Sequence, residues 1–170
     1  EFVFSQNMLL GSLRISGLLS DLETRTTHYD EVLEEFIGQD LDDYHAVEPK
    51  GITYKSLIAF SGEMGFIKRL GGFDGMSSSV LTKEEFLRIY EYLLKTRPSD
   101  LTLHDKIPSI IAPLLLLTAL IIKNMLEYTG VDKIYMPHAS LSDGIIYYYC
   151  VNSQGLKTEI APDSYLISSA

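Results

Sequence analysis

Three short stretches carry residue types suited to an anionic or hydroxylated ligand. Ser61-Gly62-Glu63 closes the apolar run from Ile52 to Phe60 and precedes a short helical run, which places Gly62 at a strand-to-helix turn. Backbone N–H groups at a helix start can hold an anion; the same sequence also serves as a plain tight turn. Glu63 offers a carboxylate to a ribose hydroxyl, or simply occupies a first helical turn. Ser140-Leu141-Ser142-Asp143-Gly144 opens another helix with a carboxylate and a glycine, either beside a ligand or as an ordinary helix start. Arg14 follows Gly11-Ser12-Leu13; a guanidinium grips phosphate bidentately, or joins a surface salt bridge. His28, His45 and His104 are scattered without metal-ligand spacing. His138, after Pro137, reads as a hydrogen-bonded histidine rather than a switch or ligand. Cys150 lies in Ile-Ile-Tyr-Tyr-Tyr-Cys-Val with nothing basic beside it, and reads as a buried small apolar residue rather than a nucleophile. The Tyr147-Tyr148-Tyr149 run cannot share one helix face, so it spans core and surface.

The elements that must position these residues follow from periodicity. Phe2 to Leu10 reads as a strand broken by Gly11, and Leu13, Ile15, Leu18 and Leu19 as a short helix or extended turn. Between Thr26 and Ile37, Tyr29, Val32, Leu33, Phe36 and Ile37 keep the spacing of a helix with one buried stripe. Gly38 is its expected end, with Leu41 to Gly51 turn-like. Ile52 to Phe60 reads as a strand, followed by a helix to Leu70 that Gly71-Gly72 stops. Phe73 to Ser79 is rich in glycine and serine and reads as a mobile loop. Thr82 and Glu85 form a capping box ahead of the stripe Phe86, Ile89, Tyr90, Leu93 and Leu94, and Pro98 prevents that helix from continuing. Ile107 to Tyr128 is a long apolar helix with Pro108 in its first turn, a kink or late start at Pro113, and Gly130 as its stop. Lys133 to His138 reads as a short strand and Leu141 to Tyr149 as the last helix. Residues 1–150 form one lobe, and 151–170 an irregular tail.

With 170 residues and 46% hydrophobic content, the chain is long enough for one ordinary domain. Its net charge of −9 repels nucleic acid phosphate and argues against a broad basic binding face. The run from Ile107 to Ile122 is shorter than the roughly 20 residues a membrane-spanning helix needs, so it reads as a buried core helix. A single cysteine permits no internal disulfide and fits a reducing, cytoplasmic setting.

Four stretches in order carry a resemblance. They are Phe4-Ser5-Gln6 through Gly11-Ser12-Leu13-Arg14, Ile58-Ala59-Phe60-Ser61-Gly62-Glu63, Leu81-Thr82-Lys83-Glu84-Glu85-Phe86, and Lys106-Ile107-Pro108 through Asp143-Gly144. Together, over residues 2–149, they resemble the C-terminal lobe of the exopolyphosphatase and guanosine pentaphosphate phosphohydrolase (Ppx/GppA phosphatase) family. That family is a branch of the actin-like ATPase superfamily. The resemblance implies an α/β fold: an actin-like, ribonuclease H-like lobe with a mixed sheet flanked by helices and its N-terminal strands missing. It implies an enzyme that releases phosphate from polyphosphate or guanosine pentaphosphate in a cleft between two lobes, with Mg²⁺. On it, the substrate-binding residues are Arg14, Ser61, Gly62, Glu63, Ser140, Asp143 and Gly144, and Arg14 is alternatively an inter-lobe contact. The carboxylate that activates water and the glycine-rich phosphate loop are expected before Glu1, so no catalytic residue or metal ligand is assigned within this chain, which alone is expected to be inactive. The chain also departs from the family pattern. Ser61-Gly62-Glu63 replaces a glycine pair and Thr, and a carboxylate there repels phosphate unless a metal or a ribose hydroxyl intervenes. Ser142-Asp143-Gly144 replaces Arg-Glu-Gly and so lacks a phosphate-gripping Arg. The alternative is a non-catalytic nucleotide-binding or interaction domain on the same scaffold.

Without the strand that would carry the phosphate loop, the strands near Phe4, Ile58 and Ile134 are not expected to be neighbours. Open edges then seek partners, which predicts a homodimer, association with the missing N-terminal lobe, or rearranged pairing.

Overall fold

The computed structural model describes residues 4–23, 29–72, 80–137 and 141–154. In chain order the elements are α1 (Ser12–Glu23), α2 (Tyr29–Val47), β1 (Leu57–Ile58), α3 (Met64–Leu70), β2 (Val80–Thr82), α4 (Lys83–Lys95), α5 (Pro98–Leu103), α6 (Ala112–Thr129), β3 (Lys133–Tyr135) and α7 (Leu141–Gln154). Helix α6 organises the rest. It is apolar nearly all round, as a helix enclosed by neighbours must be, and it packs against α1, α2, α3, α4 and α5. Its length and composition would allow a membrane span. Leu115, Ala119, Leu120 and Leu126 are nevertheless buried in the core with Phe86, Ile15, Leu33, Ile37 and Ile67. Burial of each large side chain contributes roughly 1.5–3 kcal/mol.

The start of α6 follows from two prolines. Ile107 is buried, but Pro108 lies in a turn before the helix, which begins at Ala112 with Pro113 in its first turn, where a missing N–H costs nothing. This is the late start that Pro113 predicts. Gly130 ends α6 at φ +67°, a left-handed conformation that favours glycine.

A three-stranded mixed sheet, ordered β1-β3-β2, lies beside these helices. β1 runs parallel to β3 with Leu57 opposite Ile134, and β2 runs antiparallel to β3 with Leu81 opposite Ile134. Ile134 and Leu81 are fully buried, so the register turns the central strand's apolar side chain into the core. The direct pairing of β1 and β3 corrects the expectation that the Ile58 and Ile134 segments would not be neighbours.

Several element boundaries also differ from expectation. Phe4 to Leu10 forms no strand. The Leu9 amide donates to Asp40 Oδ2 (3.0 Å), and Met8 and Leu10 rest on the core from an irregular segment. Gly38 does not end α2, because Leu41 continues the buried stripe of Leu33 and Ile37 by another turn and holds the helix to Val47. The strand from Ile52 to Phe60 shrinks to Leu57–Ile58, the only part beside β3. Pro98 does end the preceding helix, yet it also opens α5, whose first turn suits proline. Leu94 faces solvent, unlike the rest of its stripe. Cys150 is exposed, as are Tyr147, Tyr148 and Tyr149, because α7 offers these residues no core to enter. Helix α7 runs on to Gln154. The loop at 73–79 and His138 lie outside the described residues.

Candidate functional site

Parallel strands bring their C-terminal ends to one edge of a sheet, and ligands of open α/β sheets bind outside that edge. Here β1 and β3 end together: Ile58 sits opposite Tyr135, and the Ala59 amide donates to the Tyr135 carbonyl (2.9 Å). The chain leaving β1 turns through Ser61-Gly62 into α3, as the sequence predicts. A pocket of about 300 Å³ opens beside this turn. Leu10, Gly11 and Ser12 at the start of α1 form one side, and Ala59, Phe60, Ser61 and Glu63 the other. Thr118, Ile121 and Ile122 from the middle of α6 complete it.

The polar groups of this pocket are few and specific. Ser12 Oγ donates to Glu63 Oε1 (3.2 Å), which joins the α1 entry to the β1–α3 turn. Within the turn, the Glu63 amide donates to Ser61 Oγ (3.2 Å) and the Met64 amide to the Ser61 carbonyl (3.3 Å). Two amides that an anion would use are thus engaged internally. Glu63 caps α3 without a side-chain hydrogen bond to its amides, so its second carboxylate oxygen remains available to a ligand. Thr118 Oγ1 is buried and has no hydrogen-bond partner among the described residues. A buried hydroxyl without a partner is costly and rare, and this one lies at the pocket wall. The sequence shows Thr118 only as a break in an apolar run; only the packing of α6 under the turn reveals its position.

The other predicted site residues lie apart from this pocket. Arg14 is exposed, one turn into α1 and outside the pocket lining. Asp143 and Gly144 are exposed in the first turn of α7, and Ser140 lies outside the described residues. A larger hollow, about 520 Å³, lies at the opposite end of α3. Its polar groups are occupied with one another: Arg69 Nη2 donates to the carbonyls of Asp105 (3.1 Å) and Lys106 (3.3 Å), and Tyr92 donates to Asp105 Oδ2 (2.7 Å).

The most perturbed carboxyl group is Glu48, beyond the end of α2. It accepts from Tyr128 (2.6 Å) and Tyr54, and His45 Nδ1 lies 2.9 Å away. The hydrogen bonds from Tyr128 and Tyr54 hold its pKa below the ordinary carboxylate value. Desolvation and the Glu48 carboxylate push both phenols up in turn. This cluster fastens α2 and the Tyr54 segment to the C-terminal end of α6, away from the pocket at its middle, and its role is architectural.

For magnesium, the described residues hold no group of three His, Cys, Asp or Glu side chains able to share an ion. Glu63 is the sole carboxylate among the pocket residues. Magnesium is commonly held by one or two carboxylates together with substrate phosphates, and a lone Glu63 does not amount to a site of the chain's own.

No protein-family model and no curated protein sequence matches this chain. Solved structures do. A Ppx/GppA phosphatase from Aquifex aeolicus, in its type II variant, aligns over 82% of this chain and 47% of its own, with TM-score 0.67 and 12% identity. Another Aquifex aeolicus structure of the Ppx/GppA family aligns over 75% of this chain and 42% of its own, with TM-score 0.63 and 12% identity. An exopolyphosphatase from Cytophaga hutchinsonii aligns over 92% of this chain and 52% of its own, with TM-score 0.67 and 16% identity. The chain therefore spans about half the length of these structures. At the level of fold, the resemblance read from the sequence is borne out.

Proposed function

We propose that this chain is part of a phosphoanhydride phosphohydrolase and forms one wall of its interdomain cleft. The observation that carries the reading is the fold likeness to Ppx/GppA phosphatases and an exopolyphosphatase over most of the chain. Phosphoanhydride hydrolysis depends on positioning and charge stabilisation, and it needs cationic donors, metal and a water-orienting carboxylate together. The pocket beside Glu63 supplies positioning groups. The phosphate-binding groups and the water-activating carboxylate belong, in this reading, to the other half of the enzyme. Magnesium then travels with the substrate's phosphates, and the substrate is polyphosphate or guanosine pentaphosphate. Association with that other half, or of two copies, and a cytoplasmic setting belong to the same proposal.

The test is free phosphate released from guanosine pentaphosphate or polyphosphate with magnesium. The chain alone is expected to stay at background, with turnover once the half bearing the carboxylate is supplied. Robust turnover by this chain alone would overturn the division of labour, and no turnover by the assembled pair would overturn the function.

A further inference from the structure

We infer that the pocket between the α1 entry, the β1–α3 turn and the middle of α6 receives the uncharged nucleoside portion of a substrate, not a phosphate chain. The inference rests on the proposed hydrolase reading and decides which of its substrates this chain was built for. Three observations converge. The lining residues include no Lys, Arg or His, while Glu63 contributes a carboxylate. A polyphosphate segment seated there would meet a like charge without compensation. Second, the polar groups match a nucleoside. Glu63 is an acceptor for a ribose hydroxyl, and one of its oxygens is already fixed by Ser12. Thr118 presents a buried hydroxyl that lacks a partner among the described residues and can donate or accept. Third, Phe60 lies on the pocket lining with 62% of its surface exposed. An aromatic face at a pocket rim is a stacking platform for a base. An apolar pocket with a few placed polar groups is the usual form of a small-molecule site. A nucleotide substrate then divides naturally, with its nucleoside on this chain and its phosphates beyond the pocket.

The experiment is calorimetric titration of the full chain with guanosine and, separately, with tripolyphosphate. Guanosine is expected to bind, and tripolyphosphate to leave that binding unchanged. Thr118→Val and Phe60→Ala should each weaken guanosine binding about five- to tenfold. Glu63→Gln, which keeps an acceptor oxygen, should change it less than Glu63→Ala. Thermal melts establish that each variant is folded. If Thr118 were merely structural, Thr118→Val would shift the melting temperature and leave guanosine affinity untouched, which overturns its assignment. Failure of guanosine to bind, or competition by tripolyphosphate that strengthens severalfold in Glu63→Gln, overturns the inference. Guanosine binding without phosphate release by the assembled enzyme would remove the hydrolase reading and leave the pocket's assignment standing. Phosphate release from polyphosphate without guanosine binding would do the reverse.

Discussion

Thr118 holds a polar atom in the middle of the most apolar helix of the chain, with no partner among the described residues. Valine has the same shape without the hydroxyl, so Thr118→Val is expected to stabilise the free protein by about 1 kcal/mol. That corresponds to a melting temperature about 2–4 °C higher for a chain of this size, measured by calorimetry. A destabilised variant would mean that the hydroxyl is satisfied in the folded protein. Glu48 makes a second residue-scale prediction. Its pKa is lowered in the folded state by the Tyr128 and Tyr54 hydroxyls. Its contribution to stability is therefore fully present above the ordinary carboxylate value and lost as pH falls through the lowered one. Glu48→Gln should be less stable than the parent near neutral pH, and the gap should close on acidification through that window. Denaturant melts across pH check it; a gap that stays constant contradicts it.

Local rules were sound wherever a residue's own chemistry decides an element's end. The Thr82–Glu85 box is present in both directions: the Glu85 amide donates to Thr82 Oγ1 (3.2 Å), and the Thr82 amide donates to Glu85 Oε2 (2.8 Å). Thr82→Ala should cost about 1 kcal/mol, read as a lower denaturant midpoint with an unchanged slope. A cost within a few tenths would show that α4 is held by its packing alone. Gly130, Gly71 and Pro113 likewise act as their types require. Elements that depend on distant partners were not legible. The short β1 is defined only by β3, more than seventy residues later in the chain. The extension of α2 past Gly38 depends on Leu41 finding a place in the core. Of the site, Ser61 and Glu63 could be read from a strand–turn–helix pattern, whereas Thr118 and Phe60 could not, since their roles arise only when α6 and β1 are laid side by side.

As a whole, the molecule is a helical core organised on α6 with a small mixed sheet, and its fold is that of larger phosphatases of which it spans about half. Several large apolar side chains of α7, among them Ile145, Ile146 and Tyr148, face outward, and β1 and β2 are the edges of the sheet. Exposed apolar surface of this kind marks interaction sites. Light scattering of the isolated chain should accordingly report a mass above the monomer that falls on dilution. A monomer at every concentration would remove self-association from the proposal while leaving a heterologous second half open.

The central claim is that substrate engages the pocket at the paired C-terminal ends of β1 and β3, and amide chemical-shift mapping of the labelled chain titrated with guanosine pentaphosphate tests it most directly. The account predicts saturable shifts concentrated at Gly11, Ser12, Ala59 to Glu63 and the residues around Thr118. Shifts gathered instead around Arg69 and Lys106, or no shifts at saturating ligand, would contradict it.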